Sequence, residues 1–279
     1  MPDQRGEHAE LFDGTATYYA RHRPPYPAEA IRLLVKGFGL DRTTSVLDLG
    51  SGPGQLALPL AASGARVFAV DPNPEMLAAG LRAEYEAQAR GIRWLLGDDA
   101  TIGDLGLPPL RLCAMGASFH WTDRPALLSA LDDMVDPQGG VALLSGAASI
   151  WSQKAAVLGA WVEVAQDVVQ KFLGPRRRAG SGTYSHPKKA HEEVLAESAF
   201  RSIEHVRLST TRVMDVDDVI GLQLSTSYAS PALLGDALPE FRADFARRLW
   251  EIEPSGRFET TEKTELIIAR RPGSAREHR

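Results

Sequence analysis

The stretch VLDLGSGPG, from Val46 to Gly54, decides the fold of this chain. Its apolar start is typical of a buried strand, and its alternating glycines predict a tight turn whose backbone can approach a ligand closely. A helical pattern from Leu56 to Ala62 follows and would direct its free N–H groups at the turn. The stretch therefore predicts a strand, a ligand-binding turn and a helix in direct succession.

Short apolar runs alternate with helical patterns on both sides of this stretch. Leu77, Leu81 and Tyr85 form one apolar stripe at helical spacing, and a second stripe extends from Leu127 to Met134. Buried parallel strands are predicted at Val46–Leu49, Val67–Val70, Ile92–Leu96, Leu110–Met115 and Val141–Leu144. The alternation predicts an α/β fold, in which a doubly wound, Rossmann-like and mostly parallel sheet carries helices on both faces.

The pattern changes after Gly146, where a longer apolar helix from Val157 to Phe172 has no strand directly behind it. We therefore expect a helical cap inserted in the C-terminal half. The basic, glycine-containing stretch from Lys171 to Lys189 predicts a mobile loop. Two further helices are predicted at Val216–Leu224 and Phe241–Trp250, and two further strands at Ile203–Leu208 and Thr264–Ala269.

Composition and charge narrow the class of protein. The 279 residues carry 36 acidic and 31 basic side chains, for a net charge of −5, so the field of the whole molecule does not favour nucleic acid. The single cysteine, Cys113, lies in an apolar run, as expected of a reduced cytoplasmic protein. No apolar stretch approaches the roughly 20 residues that a membrane span needs, and no cluster of metal ligands stands out. We expect a cytoplasmic protein without a membrane segment or a bound metal.

Two aspartates indicate what the glycine turn binds. Asp71 ends the second predicted strand, where its carboxylate could bind both ribose hydroxyls of an adenosine ligand. The glycine spacing is G-x-G-x-G, whereas the G-x-G-x-x-G of nucleotide oxidoreductases leaves room for a pyrophosphate. Asp48 lies inside the motif, where its charge would repel a pyrophosphate but attract the ammonium of a methionyl group.

The motifs DLGSGPG, VDPNPEML, LLGDDA and MGASFHW, in this order, resemble those of the class I S-adenosylmethionine-dependent methyltransferases. The resemblance extends from about Phe12 to Ser145 and implies S-adenosylmethionine as cofactor and S-adenosylhomocysteine as product. The cofactor contacts that it implies are Asp48, Gly50, Gly52 and Gly54 at the methionyl part, Asp71 at the ribose, Pro72 to Met76 beside the adenine, Asp98 at the adenine amino group, the backbone of Asp99 at the adenine ring nitrogens, and Tyr18 and Arg23 at the carboxylate.

The resemblance also implies a division of the chain into three parts. Residues 1–40 would form an N-terminal arm and first helix that cover the cofactor, and residues 41–149 the cofactor-binding core. Residues 150–279 would form the helical cap or substrate region, together with the last core strands.

The segment after the fourth predicted strand would border the reacting methyl group, because ligands of open parallel sheets bind at the carboxyl ends of the strands. His120 is the candidate catalytic base, since an imidazole can remove a proton near neutral pH. A structural histidine that holds the loop is the alternative. Trp121 could face the sulfonium as an aromatic surface or pack the loop.

The arm from Phe12 to Pro27, SFHWTDR and LSTSYASPALLGD resemble segments of actinobacterial natural-product methyltransferases. This resemblance implies specialised, antibiotic-type metabolism without fixing a substrate. The helical cap could enclose a small ligand, so we expect methylation of a small amino- or hydroxyl-bearing natural product. The alternatives are an RNA or protein methyltransferase and a noncatalytic module that binds S-adenosylmethionine. A homodimer is also considered. The basic loop would suit an anionic acceptor, whereas a set of acidic residues would suit a cationic one, so the charge of the acceptor stays open. The acidic residues are Glu192, Glu193, Asp215, Asp217 and Asp218.

Overall fold

A computed structural model describes residues 12–145, 150–151, 159–175, 178–179, 182–183 and 189–273. The contacts divide the chain into two units. The sheet unit comprises the described residues within Pro25–Gly146, His186–Leu208 and Thr264–Arg279. The helical unit comprises those within Met1–Pro24, Ala147–Ser185 and Ser209–Lys263.

Seven strands of the described residues form one mixed sheet, and two short strands form a separate pair. The strands of the sheet are β1 Ser45–Leu49, β2 Arg66–Asp71, β3 Ile92–Leu96, β4 Leu110–Gly116, β5 Val135–Leu144, β8 Ser202–Met214 and β9 Phe258–Arg270, and the separate pair is β6 Arg178–Ala179 and β7 Gly182–Thr183. The order in the sheet is β3-β2-β1-β4-β5-β9-β8. Strands β1 to β5 pair in parallel, and β9 pairs antiparallel with β5. This sheet confirms the predicted doubly wound α/β fold.

Helices lie on both faces of the sheet, and the side chains of the central strands alternate between two cores. Leu47 of β1 and Cys113 of β4 belong to one core, whereas Val46 and Leu112 belong to the other. This alternation follows from the two-residue period of a strand. The α-helices of the described chain are α1 Ala16–His22, α2 Ala28–Phe38, α3 Ala57–Ala61, α4 Pro74–Glu86, α5 Arg124–Met134, α6 Trp161–Leu173, α7 His191–Ala196, α8 Val216–Leu224, α9 Pro231–Leu234 and α10 Leu238–Ile252.

The helical unit has an apolar core of its own. Trp161 of α6, Ile220 of α8 and Phe241 of α10 are buried there, as helical spacing predicted for each of these segments. Helix α1 packs on α8, where the His22 ring fills the space beside Gly221. Among the described residues, no helix combines the length and the apolar composition that a membrane crossing requires.

Two predictions about local structure are wrong. Helix α4 forms and buries Leu77 of the predicted stripe, but Leu81 and Tyr85 are 54% and 86% exposed, because Met76 and Gly80 lie on the inward side instead. The stretch Lys171–Lys189 is not all loop, since α6 continues to Leu173 and two short strands pair at 178–179 and 182–183. The other predicted loop residues from 176 to 188, and Val157 at the predicted start of α6, lie outside the described residues.

Candidate functional site

The carboxyl ends of parallel strands meet at one edge of the sheet unit. Asp48 of β1 lies in register with Ala69 of β2 on one side and with Ala114 of β4 on the other. Strand β1 is therefore central. Strands β2 and β3 lie on one side of it, and β4 and β5 lie on the other. This reversal of strand order opens the crevice in which such sheets bind ligands.

The glycine turn after β1 has left-handed backbone at Gly50, Gly52 and Gly54, with φ of +69°, +52° and +89°. The sequence predicted that these glycines allow a ligand to approach the backbone closely. The structure adds a second cause, because a Cβ on Gly50 would collide with Ser118, and a Cβ on Gly54 would lie 2.6 Å from the Trp94 ring. Internal packing therefore requires two of these glycines even before any ligand binds.

Replacing Gly50 with alanine is expected to lower the free energy of unfolding by about 2 to 4 kcal/mol, because left-handed strain adds to the clash with Ser118. Gly106→Ala is the matched control, since Gly106 has φ of +61° with no atom within 4 Å of the added Cβ. It should lose only about 1 kcal/mol, the backbone strain alone. Urea denaturation measures both, and equal losses would contradict the packing role of Ser118.

Asp48 is a buried carboxylate with one oxygen that can still accept a hydrogen bond. It is 1% exposed, and its Oδ2 atom has no hydrogen-bond donor among the described residues. Burial raises the pKa of this carboxyl group to about 7, the neighbouring Asp71 adds to the shift, and a hydrogen bond from the Ala57 backbone N–H opposes it. Because a buried unsatisfied oxygen is costly, this atom indicates a binding position for a polar or cationic group.

Asp71 links the end of β2 to the glycine turn. The backbone N–H of Gly52 donates to Asp71 Oδ2 at 2.8 Å, and that of Asn73 donates to Oδ1 at 2.9 Å. Burial raises the pKa of Asp71 to about 6, although the two hydrogen bonds favour the ionised carboxylate and lower the pKa. Each carboxylate oxygen can accept a second hydrogen bond, so the group can still bind two hydroxyls.

The segment after β4 lies against the glycine turn. Ser118 Oγ donates to the Leu49 carbonyl at 2.6 Å, and Ala117 has a left-handed φ of +54°. Such a conformation is uncommon in a residue with a side chain and is found often at functional sites. His120 and Trp121 follow in a 3₁₀ turn with ring centroids 4.7 Å apart, so the structure places both next to the turn that contacts β1.

The methyltransferase domain family matches residues 46–139, which contain the glycine turn, both buried aspartates and this segment. An uncharacterized methyltransferase of Mycobacterium tuberculosis is 27% identical over 83% of this chain and 84% of its own length. The chain is a methyltransferase, and the domain match and this relative support the class I S-adenosylmethionine-dependent type. A trans-aconitate 2-methyltransferase of the same species is 36% identical, over 44% of this methyltransferase and 42% of its own chain.

The fold of the methyltransferase is similar to that of a solved S-adenosylmethionine-dependent methyltransferase from Thiobacillus denitrificans, which is in complex with S-adenosylhomocysteine. The two share a TM-score of 0.50 and 18% identity, over 94% of this chain and 98% of the other. At this identity the likeness concerns the fold.

The residues predicted to lie near the adenine have local bonding roles of their own in the methyltransferase. Asp98 Oδ1 accepts from the Thr101 backbone N–H at 3.0 Å and from Thr101 Oγ1 at 2.9 Å, which closes the turn after β3. Asp99 Oδ2 accepts from the Asp123 backbone N–H at 2.8 Å, just after the segment that carries His120. Sequence reasoning missed this connection, because the two partners are 24 positions apart.

The remaining predicted adenine contacts lie around the start of α4. Pro72 follows Asp71 directly and is partly exposed, whereas Met76 is 3% exposed on the inward side of the helix. Asn73 caps α4 by accepting from the backbone N–H groups of Glu75 and Met76. Their contacts with adenine stay predictions.

Tyr18 and Arg23 belong to the helical unit of the methyltransferase. Arg23 Nε donates to Ser225 Oγ at 2.9 Å, and the Tyr18 ring stacks on His22 with centroids 6.3 Å apart. Arg242 is also close to the Tyr18 hydroxyl, at 3.5 Å. The predicted role of both residues at the cofactor carboxylate stays a prediction.

Proposed function

We propose that the methyltransferase binds S-adenosylmethionine at the carboxyl edge of its sheet unit and methylates an amino or hydroxyl group of a small molecule in specialised metabolism. The observation that carries this proposal is the pair of buried aspartates, Asp48 and Asp71, on neighbouring strands beside the glycine turn. A protein rarely buries two carboxylates side by side unless a partner compensates their charge.

The residues present fit the cofactor. The unsatisfied Oδ2 of Asp48 suits the ammonium of a methionyl group, which would also return the carboxyl group to its ionised form. Asp71 retains lone pairs for two ribose hydroxyls while its bonds to Gly52 and Asn73 hold it in place. The turn after β3, which Asp98 closes, would then lie on the adenine side.

Bound cofactor supplies a methyl group that its sulfonium already activates, so the residues of this chain mainly align the acceptor and exclude water. A ring nitrogen of His120 would accept the proton that an amine or hydroxyl acceptor loses. The bond between Ser118 and the Leu49 carbonyl fixes the segment that carries His120. Trp121 would shield the reacting atoms from water.

The acidic residues that suggested a cationic acceptor have structural partners. Asp215 and Asp218 cap α8 reciprocally, and Asp217 pairs with Arg21 and Arg242 at 3.5 and 2.9 Å. These contacts satisfy the carboxylates locally, so they no longer favour a cation over other small molecules. We therefore keep both amino- and hydroxyl-bearing acceptors in the proposal.

One observation supports a small acceptor. The trans-aconitate relative is named for methylation of a small organic molecule.

Incubation with methyl-labelled S-adenosylmethionine tests the proposal. Metabolite extracts of an antibiotic-producing actinobacterium, total RNA and denatured protein are offered as separate acceptor pools, and mass spectrometry follows the label. We expect label in a small molecule. Label in RNA or protein instead, or in no pool while the cofactor binds, would contradict the proposed acceptor class.

A further inference from the structure

Tyr26 lies at the carboxyl end of β4 within the sheet unit. A Cβ built on Gly116, the last residue of β4, would be 2.6 Å from the Tyr26 hydroxyl oxygen and 3.1 Å from its Cε2 atom. Leu56, which follows the glycine turn, would be 3.0 Å away on the same side. The phenol therefore occupies the space that a side chain at position 116 would take.

The backbone conformation at position 116 does not require a glycine. Gly116 is absent from the glycines with positive φ, so other residues could adopt its backbone conformation. What a larger residue could not do there is coexist with the Tyr26 ring in its present place. The glycine at position 116 thus serves the position of Tyr26.

The chain around Tyr26 fixes its backbone. Pro25 and Pro27 flank it, and a residue that precedes proline is restricted to extended conformations. Pro27 is also the N-cap of α2, whose side chains Ala30 and Leu34 are fully buried in the sheet-unit core. The backbone of Tyr26 consequently belongs to a restrained segment.

The strand order indicates which end of a bound cofactor Tyr26 would meet. In the proposed function, ribose binds at Asp71 of β2 and the methionyl ammonium at Asp48 of β1. Strand β4 is the next strand beyond β1, so its end lies on the side opposite the adenosine. Here the left-handed Ala117 and the bond from Ser118 to Leu49 shape the backbone against the glycine turn.

We propose that Tyr26 is a further cofactor-binding residue, whose hydroxyl oxygen contacts the sulfonium and methyl end of S-adenosylmethionine and orients it towards the acceptor. The inference rests on the proposed function. A hydroxyl oxygen carries partial negative charge, so it favours the positively charged sulfonium over the neutral thioether of S-adenosylhomocysteine. Tyr26 therefore discriminates the cofactor from its product.

Calorimetric titration of Tyr26→Phe with each ligand tests this discrimination. The substitution keeps the ring and removes only the oxygen. We expect S-adenosylmethionine to bind about 5-fold more weakly, as for the loss of one modest polar contact, and S-adenosylhomocysteine to change less than about 2-fold. Gly116→Ala, which must displace the phenol, should change the same affinity ratio in the same direction.

Tyr85→Phe is the matched control, because Tyr85 is 86% exposed on α4 and should change neither affinity. Thermal denaturation verifies that each variant is folded. If Tyr26→Phe leaves both affinities unchanged, or weakens both equally, Tyr26 does not recognise the sulfonium end. If the native protein binds neither ligand, the proposed function itself is wrong, and the inference is wrong with it.

Discussion

Asp48→Asn is expected to weaken S-adenosylmethionine binding about 10- to 100-fold at pH 8, the usual effect of losing a hydrogen bond to a charged group. The same substitution should stabilise the unliganded protein at that pH. Asparagine keeps the shape of the side chain and can still accept the Ala57 N–H, but it removes a buried charge. Opposite effects on affinity and stability are the signature of a residue kept for ligand binding.

The pH dependence follows from the raised pKa of Asp48. The folded state holds its proton up to about pH 7, whereas the unfolded state loses it near pH 3.8. The higher proton affinity of Asp48 in the folded state therefore stabilises the protein fully below pH 3.8, and this contribution to the free energy of unfolding is lost as the pH rises to about 7. Since asparagine does not ionise, the free energy of unfolding of the variant should rise by roughly 4 kcal/mol relative to that of the native protein between pH 4 and pH 8, at about 1.4 kcal/mol per pKa unit.

Urea denaturation across this pH range, together with calorimetric titration at pH 8, measures both effects. Asp133→Asn is the control, because Asp133 is exposed on α5 and should alter neither the pH dependence nor the affinity. A variant that binds the cofactor as tightly as the native protein would remove Asp48 from the site. A variant that is less stable at every pH would contradict the charge argument.

His120→Ala is expected to lower turnover about 10²- to 10⁴-fold while leaving cofactor affinity within about 3-fold, if His120 is the base. The loss should be smaller for an amine acceptor. A neutral amine already carries its lone pair and can lose its proton after the transfer.

Single-turnover rates with the acceptor found by labelled transfer, and cofactor affinities by calorimetry, separate the two roles of His120. His205→Ala provides the control, since His205 lies on β8 with its side chain 39% exposed. Near-native turnover of His120→Ala would remove it from the mechanism. Lost cofactor binding would make it a structural residue of the segment.

The central strands were predictable because the sheet buries them on both faces. Strand β1, which is buried throughout, differs from its prediction by Ser45 alone. The edge strand β3 is only partly buried, yet its apolar run also predicted its bounds, Ile92 to Leu96. Strands β8 and β9 extend well beyond their apolar predictions. Their additional residues are mostly polar, so no continuous apolar run marks them.

The aspartates of the site were predictable from their place at strand ends, but their surroundings were not. Gly50 meets Ser118 and Gly54 meets Trp94, contacts between residues 40 or more positions apart that only the folded sheet creates. Tyr26 contacts the space beside Gly116, which is still more distant in the sequence. The glycine motif contains only one residue of each contacting pair. The sequence alone therefore could not indicate that packing against a distant residue requires these glycines.

Calorimetric titration of the native protein with S-adenosylmethionine at pH 8, with NAD⁺ titrated in parallel, tests the central claim most directly. The buried aspartates predict saturable binding of S-adenosylmethionine, competition by S-adenosylhomocysteine and no binding of NAD⁺, whose pyrophosphate Asp48 would repel. Tight binding of NAD⁺, or no binding of S-adenosylmethionine, would contradict the account.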